Sequence, residues 1–150
     1  MAILSESRIK IIVQWVSFLK TRWLVKTMDT NKDKIASLFN TWNAALKTGD
    51  PSKVASLYEK DAILLPTVSN KVRHNCSEIE DYFVNFLSKA PQGNIDESNV
   101  RIFDQLAINS GVYTFTFKDG TTVQARFTFV YCWNGNQWMI VEHHSSQMPE

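Results

Sequence analysis

The chain closes on HHSSQMPE, residues 143–150, where residue types able to do chemistry are packed most densely. Side chains alternate along a strand. If QWMIVE runs into this ending without interruption, Trp138, Ile140, Glu142, His144 and Ser146 share one face, and Met139, Val141, His143 and Ser145 share the other. Each face then carries an imidazole and, two residues on, a hydroxyl, a pair suited to holding a water or moving a proton near neutral pH. Both faces begin apolar, as expected if helices cover one and a partner subunit covers the other. Periodicity alone does not choose between them. The same alternation bears on metal binding. A catalytic zinc takes three protein ligands and keeps a fourth position open, and the chain has three histidines, His74, His143 and His144. Neighbouring strand residues point opposite ways, so a three-histidine site does not fit. His74 and Cys76, two apart in RHNCS, are the remaining pair with ligand spacing. No metal cofactor is expected, with zinc or manganese as the alternative.

The rest of the chain must position these groups. At 150 residues, 44% hydrophobic and 21% charged, it is long enough for one core and short for two. A net charge of +1 without a basic, aromatic-interleaved cluster argues against nucleic acid as a partner. Cys76 and Cys132 are far apart and outside any CxxC spacing, which fits a reduced, cytoplasmic protein. Residues 1–28 differ from the remainder: Arg8, Lys10, Lys20, Arg22 and Lys26 surround an apolar stretch too short to span a bilayer, and no signal-peptide cleavage site follows it. This N-terminal extension is either a basic amphipathic helix or an upstream stretch from an early start-codon assignment, with Met28 as the biological start. Membrane contact by it is not expected.

Regular signals occupy residues 29–150. Ile35, Leu38, Phe39, Trp42 and Leu46 recur at helical spacing, and Gly49 ends that helix. Asp50 and Pro51 suit the cap and first turn of a second helix with a short stripe of Val54, Leu57 and Tyr58. AILLP, 62–66, reads as a strand. Ser77 and Glu80 read as the capping box of a third helix carrying Ile79, Tyr82, Phe83, Phe86 and Leu87. Four β-like runs follow: NVRIFDQLAI, VYTFTFK, TTVQARFTFVYCW and QWMIVEHHSS. Hairpins are expected at Asp119-Gly120 and at Asn134-Gly135-Asn136. Helices first and an antiparallel meander after predict an α+β fold, a strongly curved sheet wrapped around the helices with a conical pocket between them.

The stretch LFNTWNAALKTGDPSKVASLYEKDAILLPTVSN, the helix IEDYFVNFL and the ending NQWMIVEHHSSQMPE resemble the association-domain relatives of calcium/calmodulin-dependent kinase II, within the NTF2-like cone fold. More narrowly, HHSS followed by MP resembles the iota-class carbonic anhydrases of bacteria and algae. No kinase domain precedes the stretch, so a kinase hub in the strict sense is not expected. The resemblance implies a homodimer of cone-shaped α+β barrels that interconverts carbon dioxide and bicarbonate. It also implies a pocket of Thr, Tyr, His and Ser, carried over as Thr41, Tyr58, His144 and Ser146 in the catalytic role, with Thr67, Ser145 and Trp42 as substrate contacts. His144 and Ser146 are preferred to His143 and Ser145 because the kinase hub bears His and Ser on a similar last strand at those positions. His143 and Ser145 are then expected at the pocket rim or the subunit interface. The chemistry would rest on hydroxyls donating to developing carboxylate oxygens in a dry apolar cone, with His144 accepting a proton or orienting water. Arg126 could attract an anion at the mouth, but a solvated strand arginine is the commoner case. The alternative is a non-catalytic, hub-like oligomerisation or ligand-binding module. A ketosteroid-isomerase-like proton shuttle needs a pocket carboxylate, and Leu65 stands where that pattern would place one.

Overall fold

A buried aromatic ladder decides how this chain folds. The computed structural model describes residues 30–149; the N-terminal extension, 1–28, lies outside them. Helix α1, Lys32–Lys47, is capped by the Asn31 side chain accepting from Lys34 N, and it buries Ile35, Phe39, Trp42 and Leu46 along one stripe. Gly49 follows at a positive φ of 69°, a conformation open to glycine at little cost. Asp50 caps the short helix α2, Pro51–Ala55, through Ser52 N, with Pro51 in its first turn. Strand β1, Tyr58–Leu65, comes next, so Tyr58 opens a strand instead of closing a helix stripe. Helix α3, Cys76–Leu87, is capped by Asn75, whose side chain accepts from Glu78 N. The Glu78 carboxylate reaches back to His74 N. The cap therefore sits two residues before the Ser77/Glu80 box expected from the sequence.

Strands β2, Gln92–Phe103, β3, Leu106–Thr116, β4, Thr122–Trp133, and β5, Trp138–Gln147, form the meander. The expected single run NVRIFDQLAI is split by a tight turn at Asp104 and Gln105, with Asp104 at φ 50°. The sheet order is β1-β5-β4-β3-β2, and β1 lies parallel to β5 at the edge. Register breaks bend the sheet: one between Ile95 and Glu97 on β2, one between Val130 and Tyr131 on β4 where it meets β5, and one on β1 between Tyr58 and Ile63. At the first of these, Gly111 lies so close to β2 that an added Cβ would collide with the Glu97 carbonyl, which is why a glycine stands there. The sheet curls without closing, and α1 fills its concavity. Phe39 and Trp42 pack on Tyr113, Phe115, Phe127 and Phe129 at ring separations of 5.4–6.5 Å. Among the described residues, no helix is long and apolar enough to cross a membrane.

Candidate functional site

The parallel pairing of β1 with β5 sets Leu64 beside His143 and Leu65 beside His144, and β4 sets Phe129 beside His143 and Thr128 beside His144. Cross-strand partners point to the same side, so Leu64, His143 and Phe129 form one row facing α1, and Leu65, His144 and Thr128 form a row on the outer face. This reverses the expected choice. The reason is the register break: Tyr131 pairs with Ile140 and Val130 with Glu142, leaving Val141 as an extra residue that shifts the alternation by one. Ile140 and His143, three apart, both end up inward and buried at 3% exposure.

The four expected catalytic residues, Thr41, Tyr58, His144 and Ser146, do not line the cavity. His144 is exposed on the outer face, Ser146 sits beside Arg126 on that same face, Thr41 is exposed about a hundred degrees around α1 from Trp42, and Tyr58 is buried with its hydroxyl between Trp42 and His143. Arg126 is exposed on the outer face, a solvated strand arginine. Tyr58, Thr67, Ser145 and Trp42 are drawn together with His143.

Two hydrogen-bonded groups result. In the first, the Trp42 Nε1–H donates to the Tyr58 oxygen at 3.0 Å, and the Tyr58 oxygen lies 2.9 Å from His143 Nδ1. An indole N–H can only donate, so the phenolic hydrogen is left for Nδ1, and the neutral imidazole carries its hydrogen on Nε2. That Nε2 is buried and has no partner. In the second group, the Tyr113 hydroxyl donates to Ser145 Oγ at 2.5 Å, and Ser145 Oγ lies 2.6 Å from Thr67 Oγ1. Tyr113 was missed from the sequence; it is one of several aromatics on an alternating strand, with no local feature to separate it from a core tyrosine.

His143, Ser145, Thr67 and Tyr113 all line one cavity of about 60 Å³, whose other walls include Trp42, Leu64, Pro66, Phe83, Phe86 and Phe115. No carboxylate lines it, so an isomerase-like proton shuttle lacks its base here. Burial dominates the electrostatics. The His143 ring stacks on Phe129 at 4.0 Å and meets Trp42 edge-on at 5.4 Å. Burial, with a smaller contribution from neighbouring His144, pushes its pKa down to about 3. It is therefore neutral at physiological pH, with Nδ1 facing the Tyr58 hydroxyl and Nε2 without a protein partner. Burial likewise raises the Tyr58 and Tyr113 hydroxyls well above the usual phenol range, outweighing their hydrogen bonds to Trp42 and Ser145.

Metal ligation gains no support from side-chain placement. Among the described residues no three of His, Cys, Asp and Glu come together. His74 lies beside Glu78 at the surface, while Cys76 Sγ points at the carbonyls of Tyr58 and Glu59.

An unclosed, mostly antiparallel cone around an amphipathic helix, with a small polar-floored cavity, defines an NTF2-like α+β protein. Residues 31–149 match the calcium/calmodulin dependent protein kinase II association domain, and the chain belongs to that family. A crystal structure described as such an association domain from Xanthomonas campestris is 52% identical, covers 83% of this chain and 92% of its own, and superposes with a TM-score of 0.78. An NTF2-like protein of unknown function from Pseudomonas putida, 16% identical over 79% of this chain and 87% of its own, has a TM-score of 0.70. A protein from Streptomyces avermitilis described as a candidate dehydratase of the NTF2-like family, 14% identical over 83% of this chain and 100% of its own, has a TM-score of 0.73. These two share the fold. No curated protein matches the sequence.

Proposed function

We propose that the protein is a carbonic anhydrase that interconverts carbon dioxide and bicarbonate in this cavity without a metal, acting as a cytoplasmic homodimer. One observation carries the reading: a recess of about 60 Å³ with aromatic and aliphatic walls has a floor made solely of neutral donors and acceptors. Roughly two water volumes fit such a space, which suits a triatomic substrate and its hydrated product. Apolar walls suit carbon dioxide, and the floor supplies donors where charge appears on going to bicarbonate.

Free water has a pKa near 15.7 against about 7 when bound to zinc, so the proton must leave as the carbon–oxygen bond forms. The water oxygen bonds to carbon while one of its protons passes to Ser145 Oγ. Ser145 gives its own hydrogen to Thr67, and Thr67 releases one to solvent. The Tyr113 hydroxyl holds Ser145 Oγ throughout, and the His143 Nε2–H donates to a carboxylate oxygen as it becomes negative. Trp42 and Tyr58 position the imidazole and fix its tautomer. The products are one bicarbonate and one proton.

The test is stopped-flow hydration of carbon dioxide by chelator-treated, folded protein. Acceleration over buffer is expected, and the buffer rate alone would refute the proposal. A second reading, an association module that does not turn over, is favoured by the family's own description. It predicts larger assemblies by light scattering together with an inactive cavity. A plain dimer with activity favours the first.

A further inference from the structure

Beside the cavity lies a second, more open space of about 260 Å³, lined by Val68, Ser69, Arg73, Tyr82, Asn85, Phe86 and Lys89. Val68, Tyr82 and Phe86 line both spaces, so the two adjoin. The charge of the second differs from that of the neutral inner chamber: the two ionisable side chains at ordinary pH are both cations.

Arg73 is held there with little freedom. Its backbone exchanges two 2.9 Å hydrogen bonds with Leu64 on β1, and its guanidinium lies 5.7 Å from the centre of the Tyr82 ring. The residue is 8% exposed, an unusual burial for a charge with no carboxylate beside it. Its Nη1 donates to the Lys71 carbonyl at 2.6 Å, while Nε is buried without a partner. Neither of the ion pairs among the described residues includes Arg73 or Lys89. Lys89 lies 6.0 Å from the centre of the Phe117 ring, in electrostatic reach of Asp119. The buried Nε of Arg73 lacks an acceptor and is closed to solvent, so the guanidinium must shift slightly outward before its Nε–Nη2 edge, which matches the two oxygens of a planar oxyanion, can meet one.

We propose that Arg73 and Lys89 form an anion subsite beside the cavity, which takes a small planar oxyanion: a monocarboxylate or bicarbonate. Arg73 supplies the fork, and Lys89 supplies charge from the exposed side. The site stands on its own geometry and does not require that the inner cavity hydrate carbon dioxide.

The experiment is an NMR titration of full-length, isotopically labelled protein, following the Arg73 Nε–H resonance. Sodium acetate and sodium bicarbonate are the probes, with sodium chloride at equal ionic strength as the control. Both oxyanions should shift that resonance saturably, and chloride should not. Arg73→Gln should weaken acetate binding roughly tenfold, as expected for a charge-assisted hydrogen bond. Lys89→Gln, at an exposed position, should weaken it about threefold. If the resonance responds to acetate no more than to chloride, the proposal fails even should Arg73→Gln not fold. It fails also if folded Arg73→Gln binds acetate as the wild type does. A protein that binds acetate at Arg73 yet leaves carbon dioxide unhydrated keeps this subsite and loses the catalytic reading. Hydration with Arg73 unresponsive does the reverse.

Discussion

Acid should loosen this protein through His143 before its carboxylates are titrated. The ring is enclosed by Phe129 and Trp42, and its pKa in the folded chain is about 3, against a reference value of 6.5. Below pH 6.5 the unfolded chain therefore binds a proton that the folded chain refuses. Stability is complete above that pH and falls as pH drops, until the folded ring itself titrates near 3. The slope is about 1.4 kcal/mol per pH unit, which works out at about 2 kcal/mol between pH ~7.5 and ~5. A domain of this size has only about 5–15 kcal/mol in total, so the loss is easily measured. Urea denaturation of the wild type and of His143→Gln across that pH range isolates the ring, because every other titrating group is common to both. The wild type should lose about 2 kcal/mol more than the variant on going to pH ~5. In parallel, the His143 ring resonances should keep their neutral positions down to that pH. Parallel stability curves, or a His143 resonance titrating near its ordinary value, would refute the reasoning.

Other consequences concern packing and backbone. Gly111→Ala places a methyl group against the Glu97 carbonyl at the bend of β2 and should cost about 3 kcal/mol or more in chemical denaturation. Tyr58→Phe strands both the Trp42 Nε1–H and His143 Nδ1, for an expected loss of about 3 kcal/mol, whereas His144→Ala on the exposed face should stay within about 0.5 kcal/mol. Ala90 follows α3 at φ 46°, a conformation that disfavours a side chain. Ala90→Gly should therefore raise stability by about 0.5 kcal/mol, visible as a higher denaturation midpoint.

Much of this architecture is written locally. The stripe of α1, its stop at Gly49, the Asp50-Pro51 start of α2, and the glycine turns at 120 and 135 are short-range signals, and each element stands where its residues place it. Signals that depend on distant partners were not legible. The turn between β2 and β3 has no glycine; Asp104 adopts the left-handed conformation itself. The β2 strand is largely polar and exposed, so QGNIDESN carries no alternation to announce it. Tyr58 looks helical because Leu57 and Val54 precede it, yet its place is fixed by pairing with Ile140 on the last strand.

The candidate site shows the same limit at finer scale. That one His–Ser pair faces the helices followed from the period of a strand. Which pair does so depends on the extra residue at Val141, a feature of how β4 and β5 bend together and not of any residue type in VEHHSS. The preference for His144 and Ser146 came from the resemblance to the kinase hub's last strand, and the bend turns the other pair inward. Thr41 failed for a simpler reason: it adjoins Trp42 on a helix, where adjacent residues point about a hundred degrees apart.

The central claim is that catalysis runs through the inward pair and needs no cation. It is tested most directly by comparing Ser145→Ala with Ser146→Ala, both chelator-treated, in stopped-flow carbon dioxide hydration. Removing the Ser145 hydroxyl breaks the proton path between water and Thr67 and should lower kcat at least tenfold, while Ser146→Ala should match the wild type. Equal activity in the two variants, or loss confined to Ser146→Ala, would contradict it.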